Sequence, residues 1–157
     1  MDEGIKYTGD MTLTLRGPDG VVKDSRFVKN TLLSAGLHYL IMTTMDSSLT
    51  AMTCFYIGET LSGAAVTQTE GTAQTDEVDR QAFTYTSGAT VGKASATSTF
   101  AASAGTSDRA ITEAGIFNGV TTTANSGDGV LLCRSVFAAV NKSTADSLEI
   151  KWDVAFS

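Results

Sequence analysis

The sequence predicts a mainly β protein: an antiparallel β-sandwich, jelly-roll-like, with about eight strands and one α-helix at about residues 31–45. Three observations predict it. The C-terminal segment alternates without a break, with Leu148, Ile150, Trp152, Val154 and Phe156 on one face and Glu149, Lys151 and Asp153 on the other. Charged residues make up only 18%, and polarity comes instead from 24 Thr and 15 Ser. Thr suits the exposed side of a strand, because it is β-branched yet polar. With 15 Gly and 1 Pro, the composition also favours sheets and turns over helices.

The elements follow in chain order. Residues 1–10 carry no period and are expected to form an N-terminal arm, ahead of a single domain over 11–157. Met11–Arg16 alternates as a strand, and Gly17-Pro18-Asp19-Gly20 turns it back into a return strand over Val21–Val28. The period then changes. Asn30 or Thr31 can cap a helix running to about Met45, with Leu33, Leu37, Leu40 and Ile41 on one face and Asp46-Ser47-Ser48 closing it. Met52–Gly58 is mostly apolar and predicts a strand buried on both faces. Residues 58–74, rich in Gly, Ala and Thr, form a long predicted loop, a length usually kept for binding or motion.

Val78–Thr86 and Val91–Ala101 are expected to pair around Ser87-Gly88. Ile111–Phe117 is the next strand, followed by a second predicted loop over Asn118–Gly129. Val130–Val140 and Leu148–Phe156 flank a turn over Asn141–Asp146 and are expected to form an antiparallel hairpin.

Composition excludes several function classes. The formal net charge of -6 opposes nucleic-acid binding, where cationic residues supply most of the affinity, and opposes an anionic membrane surface. No segment has the ~18 apolar residues of a spanning helix, and MDEGIKYTGD lacks the basic start and apolar run of a signal peptide. The sole histidine, His38, falls within the predicted helix, so neither a nucleophile–His arrangement nor a zinc site has its usual partners. Cys54 and Cys133 sit inside predicted strands and are expected to be buried thiols, though sequence alone leaves a disulfide open.

Carboxylates are the remaining source of chemistry. Asp76, Glu77 and Asp79 cluster with Arg80; a solvated start of a strand is expected, against a cation site or a salt bridge to a partner subunit. Glu113 and Asp128 could pair for glycoside hydrolysis, but nothing in their spacing supports it. The Gly-rich run from Gly58 to Gly71 lacks the Lys-Ser/Thr ending of a phosphate loop. Asn141-Lys142-Ser143 matches a glycosylation sequon and is expected to be a plain turn. No enzyme activity, cofactor or metal is therefore expected.

The order of several segments carries a resemblance: Val28-Lys29-Asn30-Thr31 leading into a Gly-bearing helix, Tyr56-Ile57-Gly58-Glu59-Thr60 before an Ala/Thr loop, and an acidic stretch reaching Arg80. Glu113–Asn118, Leu131–Phe137 and the Trp152 strand complete it. Over residues 21–157 the chain resembles small structural proteins of tailed-bacteriophage virions, some of which decorate or cement the capsid; tail-fibre attachment domains show a similar pattern. Glu59-Thr60 stands where that pattern usually has a second Gly after the Ile-Gly pair.

The resemblance implies a capsid decoration (cement) protein of the virion, assembled in the host cytoplasm. Its partners would be the major capsid protein and copies of itself, a trimer being favoured over a dimer. A tail, neck or fibre-adaptor subunit is the alternative. A carbohydrate-binding module, resting on Tyr7, Tyr56 and Tyr85, is the reading from a different class. The expected interaction surface comprises Asp2, Lys6, Tyr7, Thr60, Thr67, Gln68, Thr122 and Asn125, in the arm and the two loops.

Overall fold

The computed structural model describes residues 7–49, 51–59, 76–87, 93–104, 107–118 and 130–156. Among these lie ten strands and one helix. In chain order they are β1 (Tyr7–Arg16), β2 (Val22–Lys29), β3 (Thr31–Leu32), α1 (Ser34–Met45), β4 (Cys54–Glu59), β5 (Asp76–Ala82), β6 (Thr84–Ser87), β7 (Lys93–Phe100), β8 (Arg109–Phe117), β9 (Leu131–Lys142) and β10 (Ser147–Phe156). They form two five-stranded antiparallel sheets. Sheet A has the order β2-β1-β10-β7-β6 and sheet B the order β3-β9-β8-β4-β5. The predicted β-sandwich is therefore present; this hydrogen-bonded order establishes the sandwich and not a jelly-roll connectivity.

The core lies between the sheets. Met11, Leu13 and Leu15 of β1 and Leu148, Ile150 and Trp152 of β10 meet Phe55 and Ile57 of β4, Ile111, Ala114 and Ile116 of β8, and Cys133 and Val140 of β9. The Phe55 ring sits 5.7 Å from Trp152 and 4.8 Å from Phe83, a tilted aromatic stack at the centre. The β1–β2 hairpin has the predicted turn, and β4 is buried from Cys54 to Gly58 as its apolar run requires.

Three expectations are corrected. The last two long strands are not a hairpin. β10 pairs with β1 and β7 in sheet A, whereas β9 pairs with β8 and β3 in sheet B. The alternating β10 fits a sheet with one solvated face, but Leu131–Ser135 of β9 is buried on both faces and needs a sheet covered on each side. β9 also runs on to Lys142, so the connecting turn is shorter than predicted. Val78–Thr86 is not one strand: β5 belongs to sheet B and β6 to sheet A, and Phe83 between them donates its N–H to the Thr53 carbonyl as the chain changes sheets. Only β6 makes the expected pairing with β7.

The helix starts late. Thr31 and Leu32 pair with Arg134 and Cys133 as β3, which leaves Leu33 at the N-cap with no side-chain cap. α1 then packs closely on β9, where a Cβ on Gly36 would stand 2.4 Å from the Leu132 Cα. Of the expected apolar face, Leu33 is buried, Leu37 and Leu40 are half-buried, and Ile41 is exposed. Of the arm expected over 1–10, Tyr7–Asp10 belongs to β1, opposite Phe156–Asp153, and residues 1–6 lie outside the described residues.

Candidate functional site

Of the segments that carry the resemblance, those around Tyr56, Arg80, Glu113 and Arg134 meet on the face of sheet B turned away from the core, while Val28 and the Trp152 strand belong to sheet A. One row of residues crosses the sheet there: Arg80 on β5, Tyr56 on β4, Gly115 on β8 and Arg134 on β9 are successive cross-strand partners. The Tyr56 hydroxyl donates to Glu113 at 2.6 Å, and Arg134 Nη2 donates to the other oxygen of the same carboxylate. Glu113 is fully buried and Arg134 is 1% exposed. Both Glu113 oxygens are therefore occupied from within the chain. The Tyr56 phenol is held well above its ordinary pKa, first by burial and then by the Glu113 charge and hydrogen bond, with Arg134 opposing.

The acidic stretch before Arg80 is not the solvated strand start that its composition suggests. Arg80 Nε and Nη2 donate to the two Glu77 oxygens at 2.8 and 2.9 Å, and both residues are buried. Residues three apart on a regular strand point to opposite faces. Here the register slips beside Val78: Asp79 pairs with Ile57, but Glu77 pairs with Gly58. This bulge turns Glu77 onto the face of Arg80 and makes the bidentate pair possible. The guanidinium also stacks 4.4 Å over the Phe117 ring, which lies against Tyr56 at 5.1 Å. Leu33, Cys54, Phe117 and Leu131 complete an apolar cluster around Tyr56. Gly115 allows the close packing, since a Cβ there would stand 2.3 Å from Tyr56 Cε1 and 2.6 Å from the Cys133 carbonyl oxygen.

Two openings lie elsewhere. A cavity of about 450 Å³ enters between the sheets at the β6 side, lined among the described residues by Leu40, Ala51, Met52, Phe83, Tyr85, Ala94, Ser95, Ala96, Ile116, Leu132 and Val154. A polar cleft of about 330 Å³ is formed by Asp108, Arg109, Ala110, Asn141, Lys142 and Ser143. In it the buried Lys142 ammonium donates to the carbonyls of Ala102, Ala104 and Ser143 at 3.2–3.4 Å. Burial pulls its pKa down, and Asp146, Asp79 and Asp108 oppose that. Nearby, Asp146 accepts from Lys23 at 2.7 Å, which joins the β9–β10 turn to β2.

Of the expected interaction surface, Tyr7 alone falls among the described residues. Tyr7 opens β1 opposite Phe156, while Asp2, Lys6, Thr60, Thr67, Gln68, Thr122 and Asn125 lie outside the described residues, as does Asp128. His38 is exposed on α1. Cys54 and Cys133 are buried thiols that form no disulfide, and burial raises the Cys133 pKa. Tyr56 is buried; Tyr85 is exposed. Among the described residues no group of three or more His, Cys, Asp or Glu could hold a metal ion, and no helix is long and apolar enough to cross a membrane.

Sequence reasoning missed three features. Lys142 was hidden inside an expected turn. Arg26 of β2 was read as a strand residue, yet its guanidinium donates to the carbonyls of Ala138 and Ala139, within the stretch where β9 bulges away from β8. The cavity had one available signal: the period of β7 places the small side chains of Ala94 and Ala96 on the core side. No protein-family model, curated protein or solved structure matches the chain.

Proposed function

We propose that this chain is a non-enzymatic structural protein of a tailed-bacteriophage virion, a capsid decoration (cement) protein that binds the outer surface of the major capsid shell and stabilises it. One observation carries the reading. Among the segments on which the resemblance rests, Tyr56–Glu59, Glu113–Asn118, Leu131–Phe137 and the stretch reaching Arg80 lie in or beside sheet B, and Glu77, Arg80, Glu113 and Arg134 are used on one another. Residues paired in this way support an architecture, and no substrate has to be invoked to explain them. The scaffold they build is a rigid double sheet that can present its edges and loops to other subunits.

Copy number tests the proposal. In purified particles of the phage that encodes the chain, gel densitometry against the major capsid protein is expected to give a ratio of the same order as the capsid subunit itself. A ratio of only a small fraction overturns the cement role and assigns the chain to the tail, neck or fibre adaptor. Absence from the particle overturns the virion reading as a whole.

A further inference from the structure

The four edge strands of the sandwich are not equally defended. An edge strand offers unpaired main-chain N–H and C=O groups to any extended chain, and charge, bulges or short length normally prevent that pairing. In sheet A, β2 carries Lys23, Asp24, Arg26 and Lys29, and Arg26 ties it to the Ala138 and Ala139 carbonyls of β9. In sheet B, β3 is only two residues long, and β5 carries Glu77, Asp79 and Arg80 and bulges beside Val78. The other edge of sheet A, β6, has none of these protections. Its sequence is Thr84-Tyr85-Thr86-Ser87, it holds an unbroken register on β7, and all four residues are exposed.

We propose that β6 is a dimerisation edge: the β6 strands of two copies pair antiparallel about a two-fold axis through Tyr85 and join the two copies of sheet A into one continuous sheet. The chemistry of the edge selects the occupant. Unpaired main-chain groups call for an extended strand, and β6 is itself an exposed one. The chain carries a net charge of -6, so two copies repel in general and approach most readily where the meeting surface is uncharged. Among the edges, β6 and the two-residue β3 carry no charge, and only β6 is long enough to form a ladder. A two-fold contact then satisfies the same open edge on both copies at once.

Side-chain direction fixes the register. A two-fold axis normal to a sheet keeps each face on its own side, so a core-side residue of one copy must stand opposite a core-side residue of the other. Tyr85 pairs with the buried Ala96 and lines the apolar cavity, which places it on the core side, yet it is 61% exposed. Setting Tyr85 opposite Tyr85 of the second copy, with Thr84 opposite Thr86, meets the condition and adds an aromatic cross-strand pair. A slip of one residue would set Tyr85 against an outward-facing Thr86. The cavity, which opens on this side, then faces its counterpart across the axis. Such a dimer is independent of the virion reading, since it forms between copies of the chain alone.

Sedimentation velocity of the full chain over a range of concentrations tests this, with charged variants at the exposed Tyr85. The wild type is expected to pass from monomer to dimer and to grow no further. Tyr85→Lys and Tyr85→Asp each set like charges face to face on the axis, and each is expected to weaken dimerisation about 10-fold or more. An equimolar mixture of the two brings opposite charges together and is expected to dimerise more tightly than either variant alone. The register has its own readout. Under mild oxidation Tyr85→Cys is expected to cross-link, with the buried Cys54 and Cys133 silent, whereas the thiols of Thr84→Cys sit on Cα atoms about 7–8 Å apart, outside disulfide reach. This pair replaces the charged variants if circular dichroism shows either of them unfolded. A wild type that stays monomeric at every concentration overturns the proposal, and so does a trimer or larger ring. A dimer indifferent to Tyr85→Lys, a mixture no tighter than its components, or cross-linking of Thr84→Cys in preference to Tyr85→Cys overturns it equally.

Discussion

The outer faces of the two sheets solve the same problem in opposite ways. On sheet A the face turned from the core carries Thr12 and Thr14 of β1, Thr97 and Thr99 of β7, and Glu149, Lys151 and Asp153 of β10. Its one ion pair within β10, Lys151–Asp153 at 3.0 Å, is about half exposed. On sheet B the corresponding face carries Tyr56, Phe117, Glu113, Arg134, Glu77 and Arg80, and all of them are buried. Charge on sheet A keeps the protein solvated, and neighbours there are interchangeable. Charge on sheet B is desolvated, so each group depends on a named partner at a fixed distance.

The largest expected effect breaks that dependence. Arg134→Ala leaves the Glu113 carboxylate buried without its guanidinium partner. Removing one partner of a buried pair typically costs about 3–5 kcal/mol, and a large drop in the urea midpoint is expected. A loss below about 1 kcal/mol would mean that water already reaches this face of sheet B.

Gly115→Ala should come next. The added methyl meets both a Tyr56 ring carbon and the Cys133 carbonyl oxygen, and the backbone member of that pair cannot swing aside. Overpacking of this kind costs about 1–3 kcal/mol. An alanine at an exposed sheet A position, Ser25→Ala on β2, should leave the midpoint nearly unchanged.

This contrast also decides what the sequence could show. The alternation of β10 was legible because one face of sheet A meets water and the other meets core, so period and burial coincide. The run from Cys54 to Gly58 was legible as a strand buried on both faces for the complementary reason. The partners were not. Glu77 and Arg80 share a face only because β5 bulges beside Val78, and a bulge leaves no mark in the spacing of charges. Lys142 and Asp146 looked like turn residues because their composition is polar; only tertiary contact shows that Lys142 is held by three carbonyls and Asp146 by Lys23. The resemblance picked out Glu113 and Arg134 as segments of a pattern but gave no reason for them, and the reason is each other.

Thiol chemistry sharpens the comparison from a different direction. Cys133 lies in the sandwich core and Cys54 in the cluster on the other face of sheet B. If that face is as closed as the core, both thiols should resist Ellman's reagent in the native protein and react together on unfolding in urea. Rapid modification of one thiol equivalent, mapped to Cys54, would show that the outer layer opens independently of the core.

A pH effect follows from Tyr56. Its folded pKa lies above the unfolded value of about 10, because burial and Glu113 both favour the neutral phenol. The stability from this group is therefore fully present below about pH 10 and is lost as pH rises from there towards the folded value. Urea midpoints measured above pH 10 should fall in the wild type, and the fall should be shallower in Tyr56→Phe. Equal slopes would place the alkaline sensitivity in other groups.

The smallest expected effect lies on sheet A. Lys151→Ala removes the partner of Asp153, whose pKa is lowered overall: burial raises it, but hydrogen bonds from Ser95 and Lys151 outweigh that. Ser95 remains after the substitution, and Asp153 keeps access to water. Half-exposed pairs of this kind are worth about 0–1 kcal/mol and are screened by salt. The urea midpoint of Lys151→Ala should therefore lie close to that of the wild type, and closer still at high ionic strength. Arg134→Ala should show no such convergence, because ions in solution do not reach a buried carboxylate. A salt dependence that was the same for both variants would remove the distinction between the two faces.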